Sequence, residues 1–298
     1  MRVLQATEKG MCFGVKDALE LVFRLDQPHR VTIHGQLVHN PVVSRALDAR
    51  GFRTRTEEDR DGGGDVDRLL ITAHGISDRE RKRLAEGATE VIDTTCPLVS
   101  RVHRVAGRLA TEGWFVVVLG KHGHVEVKGI TGDLDRHAVV SACEDVRDWA
   151  VDRIAVICQT TMMVDRARTL LQRVQDMNPG ATIRFQDTIC DPTRQRILAL
   201  DALLPKVQAM VVVGGHNSNN TTQLVERCRS AGLPTFHVEV RDELPRKELA
   251  GFEVVGLTAG TSTLDTTIAE VHAALLAIPS LGEARLLQVG PRRNPDRR

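Results

Sequence analysis

The segment DTTCP at residues 93–97 returns almost unchanged as DTICDP at residues 187–192. Their cysteines, Cys96 and Cys190, lie 94 positions apart, and Cys12 lies 84 positions before Cys96. Repeats of this length are longer than the units of most solenoid arrays and suit small α/β domains instead. The sequence therefore predicts three related domains, each contributing a loop to a shared centre.

Two further sets of strand-like segments repeat along the chain. The first set runs from β-branched residues through a glycine into polar residues: VTIHGQLVHN (31–40), VVVLGKHGHVE (116–126) and VVVGGHNSNN (211–220). Alignment on Gly35, Gly120 and Gly215 places three polar residues in register: His39, His124 and Asn219. The second set ends in small hydroxyl or imidazole residues: ITAHG (71–75), ICQTT (157–161) and LTAGTS (257–262). Because ligands of parallel α/β sheets bind beyond the carboxyl ends of the strands, these residues are candidates for one site.

Strand-like and helix-like runs alternate throughout the chain, which predicts an α/β fold with parallel sheets. We place the domains at residues 1–97, 98–190 and 191–282, followed by a C-terminal tail at 283–298. Apolar residues at helical spacing predict helices behind Cys12 and Cys96. Thr193, which follows a proline, is predicted to begin a third helix.

The charge balance favours no macromolecular partner. The 298 residues include 40 basic and 39 acidic side chains, which give a net charge of +1, so we expect no nucleic-acid binding. No stretch reaches the roughly 18 apolar residues that a membrane-spanning helix needs, so we expect no membrane association and a cytoplasmic location.

The six cysteines fall into two groups. Cys158 lies in an apolar run and Cys228 in a helical stretch, so both are expected in the core, and Cys143 carries no signal. Three candidate ligands remain: Cys12, Cys96 and Cys190. They lack the close pairs and the fourth ligand typical of structural zinc, whereas three thiolates suit a [4Fe–4S] cluster with one iron free of protein ligands. Burial in the core is the alternative for these three as well.

Three histidines, His39, His74 and His124, lie at predicted strand ends. Imidazole nitrogens beside helix N-termini suit an anionic phosphate group. A zinc site formed by His122, His124 and Glu126 is an alternative. Hydroxyl and amide side chains recur at similar positions, where they can cap helices as well as contact a ligand: Thr160, Thr161, Ser218, Asn220, Thr221 and Ser262.

Taken together, the motifs resemble those of the 4-hydroxy-3-methylbut-2-enyl diphosphate reductase family over nearly the whole chain. The matching pieces are KGMCFGV (9–15), LVHNPVV (37–43), AHGIS (73–77), DTTCPLV (93–99), HVEVKG (124–129), QTTM (159–162), TICDPTRQR (188–196), NSNN (217–220) and TAGTST (258–263). Each piece is weak alone, but their order and spacing make the resemblance specific.

The resemblance implies a trefoil of three small α/β domains, related by pseudo-threefold symmetry, around a central [4Fe–4S] cluster held by Cys12, Cys96 and Cys190. It also implies an iron–sulfur oxidoreductase of the non-mevalonate isoprenoid pathway. Such an enzyme uses two electrons and two protons to convert (E)-4-hydroxy-3-methylbut-2-enyl diphosphate into isopentenyl and dimethylallyl diphosphate. The implied electron donor is a ferredoxin or a flavodoxin-type protein.

The resemblance also assigns roles to individual residues. Glu126 would supply protons, with Thr160 and His124 in the relay. The residues implied to hold the diphosphate are His39, His74, His124, Thr160, Ser218, Asn219, Asn220 and Ser262.

Four positions depart from the family pattern. Asn219 stands in place of a serine, Ile130 of a threonine, Val125 of a proline and Ile197 of a glutamine. These departures leave open a divergent paralogue that reduces a related allylic diphosphate. Two alternatives of other classes also stay open, a cluster-containing sensor without turnover and a cluster-free α/β transferase acting on a phosphorylated ligand.

Overall fold

A computed structural model of the chain describes residues 1–56 and 66–279. These residues divide into two compact units: the terminal unit, drawn from Met1–Gly10 and Arg196–Arg298, and the central unit, drawn from Met11–Gln195. The described residues form three four-stranded sheets in which every strand pair is parallel. The predicted α/β fold with three related sheets is therefore confirmed. The expected tail at 283–298 lies outside the described residues.

The strands and α-helices of the described residues follow one another in a regular alternation. In chain order they are β1 (Arg2–Gln5), α1 (Phe13–Arg24), β2 (Val31–His34), α2 (Pro41–Ala49), β3 (Arg53–Thr54), β4 (Val66–Ile71), α3 (Asp78–Ala85), β5 (Ala88–Asp93), α4 (Pro97–Thr111), β6 (Phe115–Leu119), α5 (Val125–Thr131), β7 (His137–Val140), β8 (Arg153–Cys158), α6 (Val164–Met177), β9 (Thr182–Gln186), α7 (Asp191–Leu203), β10 (Ala209–Val213), α8 (Asn219–Ser230), β11 (Thr235–Val238), α9 (Arg246–Leu249), β12 (Val254–Ala259) and α10 (Asp265–Leu276).

The three sheets share one strand order. In the central unit the orders are β3-β2-β4-β5 and β7-β6-β8-β9, and in the terminal unit the order is β11-β10-β12-β1. The fourth place, filled by β5 and β9 in the first two sheets, is filled by the N-terminal strand β1 in the third. The repeat is therefore circularly permuted along the chain.

The position of β1 differs from the expected first domain at residues 1–97. Its residues Arg2–Gln5 pair with β12, from Arg2 opposite Val254 to Gln5 opposite Leu257. Since β10, β11 and β12 supply only three strands, β1 covers the side of β12 that would otherwise be an unpaired edge. The other domain boundaries remain predictions.

The central strands are almost continuous apolar runs, as expected of parallel strands with both faces covered. Strands β8 and β10 are buried along nearly their whole length. Cys158, at the end of β8, and Cys228, in α8, are fully buried, so the prediction that both are core residues is confirmed. Burial raises the pKa of each thiol to about 12.

Two of the predicted helices begin where the sequence places them, behind Cys12 and Cys96. The third, α7, begins at Asp191 instead of Thr193. Pro192 does not prevent this, because the first turn of a helix needs no N–H bond and a fixed φ suits it. Within the two described ranges, no helix is both long and apolar enough to cross a membrane.

Candidate active site

Each of the three candidate cysteine ligands follows the fourth strand of a sheet and precedes a helix. Cys12 lies between β1 and α1, Cys96 between β5 and α4, and Cys190 between β9 and α7. All three thiols are reduced and partly buried. A helix N-terminus favours negative charge, so these positions suit thiolate ligands.

The thiol of Cys96 lies against the segment that carries Cys12. A Cβ atom placed on Gly14 would lie 2.5 Å from the Sγ atom of Cys96, so a side chain at this position would displace the sulfur. Gly14 is the second residue of α1 and is buried. The glycine therefore keeps open the space in which the Cys96 thiol lies.

Charge interactions connect the three thiols with Glu126. Burial raises the pKa of Cys96, and the charges of Cys12 and Glu126 raise it further. Burial likewise raises the pKa of Cys190 to about 11, again with Glu126 and Cys12 acting in the same direction. Within the central unit, the backbone N–H of Cys190 donates to the Thr160 carbonyl at 3.0 Å, and Thr160 bonds in turn to Glu126, so Cys190 and Glu126 are neighbours through one residue.

The donor set offered by the three candidate cysteines, cysteine sulfur, is the one that iron–sulfur clusters use. Among residues 1–56 and 66–279, no three His, Cys, Asp or Glu side chains converge closely enough to hold one ion. The other cysteines lie elsewhere, Cys158 and Cys228 in apolar cores and Cys143 in the turn Cys143–Asp145. Cys12, Cys96 and Cys190, each directly before an α-helix, can supply those sulfur donors.

The alternative zinc ligands His122, His124 and Glu126 face different partners. The Nε2 atom of His122 lies 2.9 Å from the Asp145 carboxylate, on a largely exposed side chain. His124 instead caps α5, where its Nδ1 atom accepts the backbone N–H of Glu126 at 3.1 Å. The geometry of these three residues does not support a zinc site.

His39, His74 and His124, predicted from separate strand ends, form a cluster in the central unit. Their ring centroids are 4.4, 5.4 and 5.8 Å apart for the pairs His39–His74, His39–His124 and His74–His124. The pKa of His124 is lowered to about 3, mainly by burial and in smaller part by the charges of His39 and Lys121. Because Nδ1 of the neutral His124 is an acceptor, its proton lies on Nε2, which makes that atom a donor.

Close packing of two backbone segments brings His124 beside His74. Gly75 has a φ of +69°, and a Cβ atom on Gly129 would lie 3.3 Å from the Gly75 carbonyl oxygen. A Cβ atom on Gly132 would lie 2.7 Å from the Ser77 hydroxyl. The helix α5, which His124 caps, can approach the loop behind β4 this closely only because these residues lack side chains.

Glu126 is almost completely buried, with 2% of its surface exposed. Its Oε1 atom accepts the backbone N–H of Thr160 at 2.7 Å, and its Oε2 atom lies 2.9 Å from the Thr160 hydroxyl. Burial raises the pKa of Glu126, and the bonds from Thr160 oppose this rise. A carboxyl group whose charged form is disfavoured holds a proton to higher pH, which is the property of a general acid.

Gln159 is a buried residue beside Thr160, and the sequence alone assigns it no role. Its side-chain oxygen accepts the backbone N–H of Lys121 at 3.0 Å, so it ties the end of β8 to the loop that carries His124. The side chain is fully buried. Its place in the motif QTTM, directly before Thr160, is the signal that indicates it.

Ser218, Asn220 and Ser262 lie in the terminal unit, beyond the carboxyl ends of the neighbouring strands β10 and β12. Ser218 caps α8 by accepting the backbone N–H of Thr221 at 3.4 Å, and Asn220 Oδ1 accepts that of Thr261 at 3.0 Å. The Nδ2 atom of Asn220 is buried and has no hydrogen-bond partner in the part of the chain that the structure describes. A buried amide donor of this kind is available to an anionic ligand.

The predicted register of Asn219 is wrong by one residue. Helix α5 is capped by His124 and helix α8 by Ser218, five positions after the ends of β6 and β10 respectively. Ser218 is therefore the counterpart of His124, and Asn219 is the first residue of α8. The error arises because β10 is followed by two glycines, of which Gly214, and not Gly215, matches Gly120.

Two departures from the family pattern concern packing. Ile130 belongs to the apolar cluster that contains Val102 and Leu109. Ile197 packs, partly buried, against the cluster that contains Leu200. Asn219, by contrast, lies between the two buried residues Ser218 and Asn220 and is partly exposed.

Comparison with known proteins gives a consistent family match. The sequence model of the family described as LytB protein matches residues 3–276. A 4-hydroxy-3-methylbut-2-enyl diphosphate reductase of Caldanaerobacter subterraneus subsp. tengcongensis is 33% identical over 276 residues, covering 91% of this chain and 95% of the relative. The enzyme of the same name from Geobacter sulfurreducens is 34% identical over 274 residues, with coverage of 91% and 95%.

Two solved structures resemble the fold over most of its length. The E-1-hydroxy-2-methyl-but-2-enyl-4-diphosphate reductase of Plasmodium falciparum has a TM-score of 0.82 and 25% identity, covering 97% of this chain and 89% of its own. A structure of (E)-4-hydroxy-3-methyl-but-2-enyl diphosphate reductase, described as the terminal enzyme of the non-mevalonate pathway, has a TM-score of 0.65 and 30% identity, covering 93% and 100%.

Proposed function

The chain belongs to the LytB protein family, and from this we propose that it reduces (E)-4-hydroxy-3-methylbut-2-enyl diphosphate to isopentenyl and dimethylallyl diphosphate. The observation that carries the proposal is geometric: Cys190 and Glu126 both bond to Thr160, and the Cys96 sulfur lies against Gly14, two residues after Cys12. In the net reaction the allylic C–O bond breaks, two electrons and two protons are taken up, and the hydroxyl group leaves as water.

We propose that Cys12, Cys96 and Cys190 hold one [4Fe–4S] cluster. When bound, such a cluster supplies electrons and an iron with Lewis-acid character. The electrons would come from a ferredoxin or a flavodoxin-type protein. A cytoplasmic location suits this cofactor, because thiolates stay reduced there.

Glu126 and Thr160 would deliver the proton that the leaving hydroxyl group needs. Burial keeps the Glu126 carboxyl protonated to higher pH, and the Thr160 hydroxyl, 2.9 Å away, can accept and donate in turn. A positioned general acid contributes typically ~100- to 10,000-fold to a rate. His124, whose Nδ1 atom accepts the Glu126 backbone N–H at 3.1 Å, would complete the relay through its Nε2–H group.

The diphosphate would be held by imidazole, hydroxyl and amide groups. In the central unit the histidine cluster offers imidazole nitrogens, and the family resemblance assigns the other ligand roles to hydroxyl and amide side chains. The residues assigned to this role are His39, His74, His124, Thr160, Ser218, Asn219, Asn220 and Ser262. Groups of these kinds bind a phosphate group through hydrogen bonds, so the pocket needs no strong positive charge.

The test is an anaerobic purification followed by an assay with dithionite-reduced protein and the expected substrate. We expect a brown protein with about four irons per chain, and formation of both products. Ser variants of Cys12, Cys96 and Cys190 should each lose iron. Cys143 lies in a turn, so the Cys143→Ser variant should keep its iron. A brown protein without turnover would favour the sensor, and a colourless anaerobic protein would favour the cluster-free transferase.

A further inference from the structure

Two loops that carry candidate diphosphate ligands are held in the same way. The loop behind β6 leads to His124, and the loop behind β10 leads to Ser218. Each begins with a glycine whose N–H donates to the last residue of the neighbouring edge strand, Gly120 to Val140 at 3.0 Å and Gly214 to Val238 at 2.9 Å. The backbone frames of the two loops are therefore equivalent.

In the central unit, Ser141 fixes the loop from the end of β7. Its hydroxyl donates to the Gly120 carbonyl at 2.6 Å and accepts the backbone N–H of His122 at 2.8 Å. The Ser141 backbone N–H in turn donates to the Asp145 carboxylate at 2.7 Å. One hydroxyl group thus bridges the first and third residues of the loop.

In the terminal unit, Glu239 occupies the place of Ser141, directly behind β11. Its Oε1 atom accepts the backbone N–H of His216 at 2.8 Å, and its own backbone N–H donates to Glu243 at 2.7 Å. Glu243 lies four positions after Glu239, as Asp145 lies four positions after Ser141. The same connections are made by different side chains.

The bond to the first glycine is made in the terminal unit by His237. Its Nε2 atom donates to the Gly214 carbonyl at 2.8 Å, and its Nδ1 atom lies 3.3 Å from Nδ1 of His216. Gly214 has a φ of +149°, and a Cβ atom there would lie 2.5 Å from the Thr221 hydroxyl. The loop behind β10 is therefore hydrogen-bonded to His237 and Glu239 on one side and packs against α8 on the other.

We propose that Ser141 in the central unit, and His237 with Glu239 in the terminal unit, are positioning residues that fix the two diphosphate-binding loops. We name these three residues the loop latches. They act through the backbone of the loops and not by contact with the substrate. The inference rests on the proposed function for its consequence, but its structural part can be measured without turnover.

The experiment compares paired variants of the full chain with its cluster. Ser141→Ala and Glu239→Ala remove the side-chain acceptors of the His122 and His216 N–H groups, whereas Ser141→Thr and Glu239→Gln retain them. Thr169→Ala is the matched control. It removes an exposed hydroxyl that donates to the backbone carbonyl of Asp165 at 3.1 Å, and it lies far from either loop in sequence. Amide hydrogen exchange is followed in peptides covering residues 120–124 and 214–218.

We expect each alanine variant to speed exchange in its own loop roughly five- to tenfold, as the loss of one or two bonds predicts. KM for the diphosphate substrate should rise by a similar factor while kcat changes less than about twofold, because loop position affects binding. The Thr and Gln variants should restore both values, and cluster absorbance should stay unchanged throughout.

Unchanged loop exchange, or faster exchange over the whole chain, would overturn the inference. So would faster loop exchange with an unchanged KM. A wild-type protein that does not reduce the substrate would refute the proposed function instead. In that case the affinity for inorganic diphosphate, measured by calorimetry, replaces KM and decides the inference by the same comparison.

Discussion

Thr160 bonds to both carboxyl oxygens of Glu126, through its backbone N–H at 2.7 Å and its hydroxyl at 2.9 Å. Glu126 lies in the first turn of α5, behind β6, and Thr160 lies behind β8. These strands are neighbours in one parallel sheet. The pairing therefore places a buried carboxyl group and a hydroxyl group that can relay its proton beyond the carboxyl ends of adjacent strands.

Replacing Glu126 with Gln should abolish proton delivery while preserving the site. The amide keeps the size of the side chain and an oxygen that can accept from Thr160, but it has no transferable proton. We expect kcat to fall at least ~100-fold, the low end of a general-acid contribution, with KM and iron content near those of the wild type. Steady-state kinetics with dithionite as reductant checks this.

Glu112→Gln is the control for this substitution, since Glu112 is exposed and pairs with Arg184 at 3.1 Å on the surface. It should leave kcat unchanged. If Glu126→Gln kept its turnover and only raised KM, Glu126 would be a positioning residue and another group would supply the proton.

Replacing Gly14 with Ala should impair cluster binding. The added methyl group would lie 2.5 Å from the Cys96 sulfur, a distance that real Cβ atoms do not reach, so that the thiol must move. We expect a clear loss of iron per chain after anaerobic reconstitution, measured by colorimetric iron analysis.

Gly107→Ala is the matched control, because Gly107 also lies in a helix, α4, and a Cβ atom there would meet no atom within 4 Å. Alanine favours a helix interior by about 1 kcal/mol over glycine, so this variant should keep its iron and gain stability. Full iron content in Gly14→Ala would show that the Cys96 thiol has room to move without loss of the cluster.

Much of the fold follows from local sequence patterns. Apolar runs that end in glycine predict the central strands, and the near-copies around Cys96 and Cys190 predict that one sheet ends before each cysteine. The place of β1 does not follow from such patterns, because four residues, Arg2–Gln5, carry no information about which sheet they join. That pairing depends on which edge remains uncovered after the rest of the chain has folded.

The site shows a similar division. The proximity of His39 and His74 follows from strand-end positions, since β2 and β4 are neighbouring parallel strands, whereas His124 follows β6 of another sheet and approaches them through the packing of α5 against the loop behind β4. The roles of Gly14 and Gly129 do not follow from the sequence, because a required absence of a side chain is visible only when the neighbouring atoms are known. The register of Asn219 fails for a local reason, since consecutive glycines give two equally good alignments.

Lowering the pH should reduce the stability of the folded protein through the buried imidazole of His124. Burial lowers its folded-state pKa to about 3 from an ordinary value of 6.5, so between these values the unfolded chain binds a proton that the folded chain does not. The resulting contribution to stability is present above about pH 6.5 and is lost as the pH falls toward about 3. His124→Asn keeps a residue suited to the N-cap but removes this titration.

We therefore expect the melting temperature of the wild type to fall relative to that of His124→Asn between about pH 7 and about pH 5. Differential scanning calorimetry of both proteins in matched buffers measures the difference between their melting temperatures. The effects of the other titrating groups are the same in both proteins and cancel in this difference. A constant difference over this range would mean that His124 is not buried in its neutral form.

The last prediction concerns Asn219, the first residue of α8 between the buried Ser218 and Asn220. An amide is longer than the hydroxyl usual in the family, so it would crowd a phosphate group that its neighbours are proposed to bind. A polar group left mismatched costs about 1–3 kcal/mol. We expect Asn219→Ser to lower KM for the diphosphate substrate at least about fivefold with kcat unchanged, whereas Glu226→Ser, on an exposed position of the same helix, should change neither value. If Asn219→Ser raised KM, Asn219 would be a fitted ligand, since removing its amide would then leave the substrate with fewer hydrogen bonds.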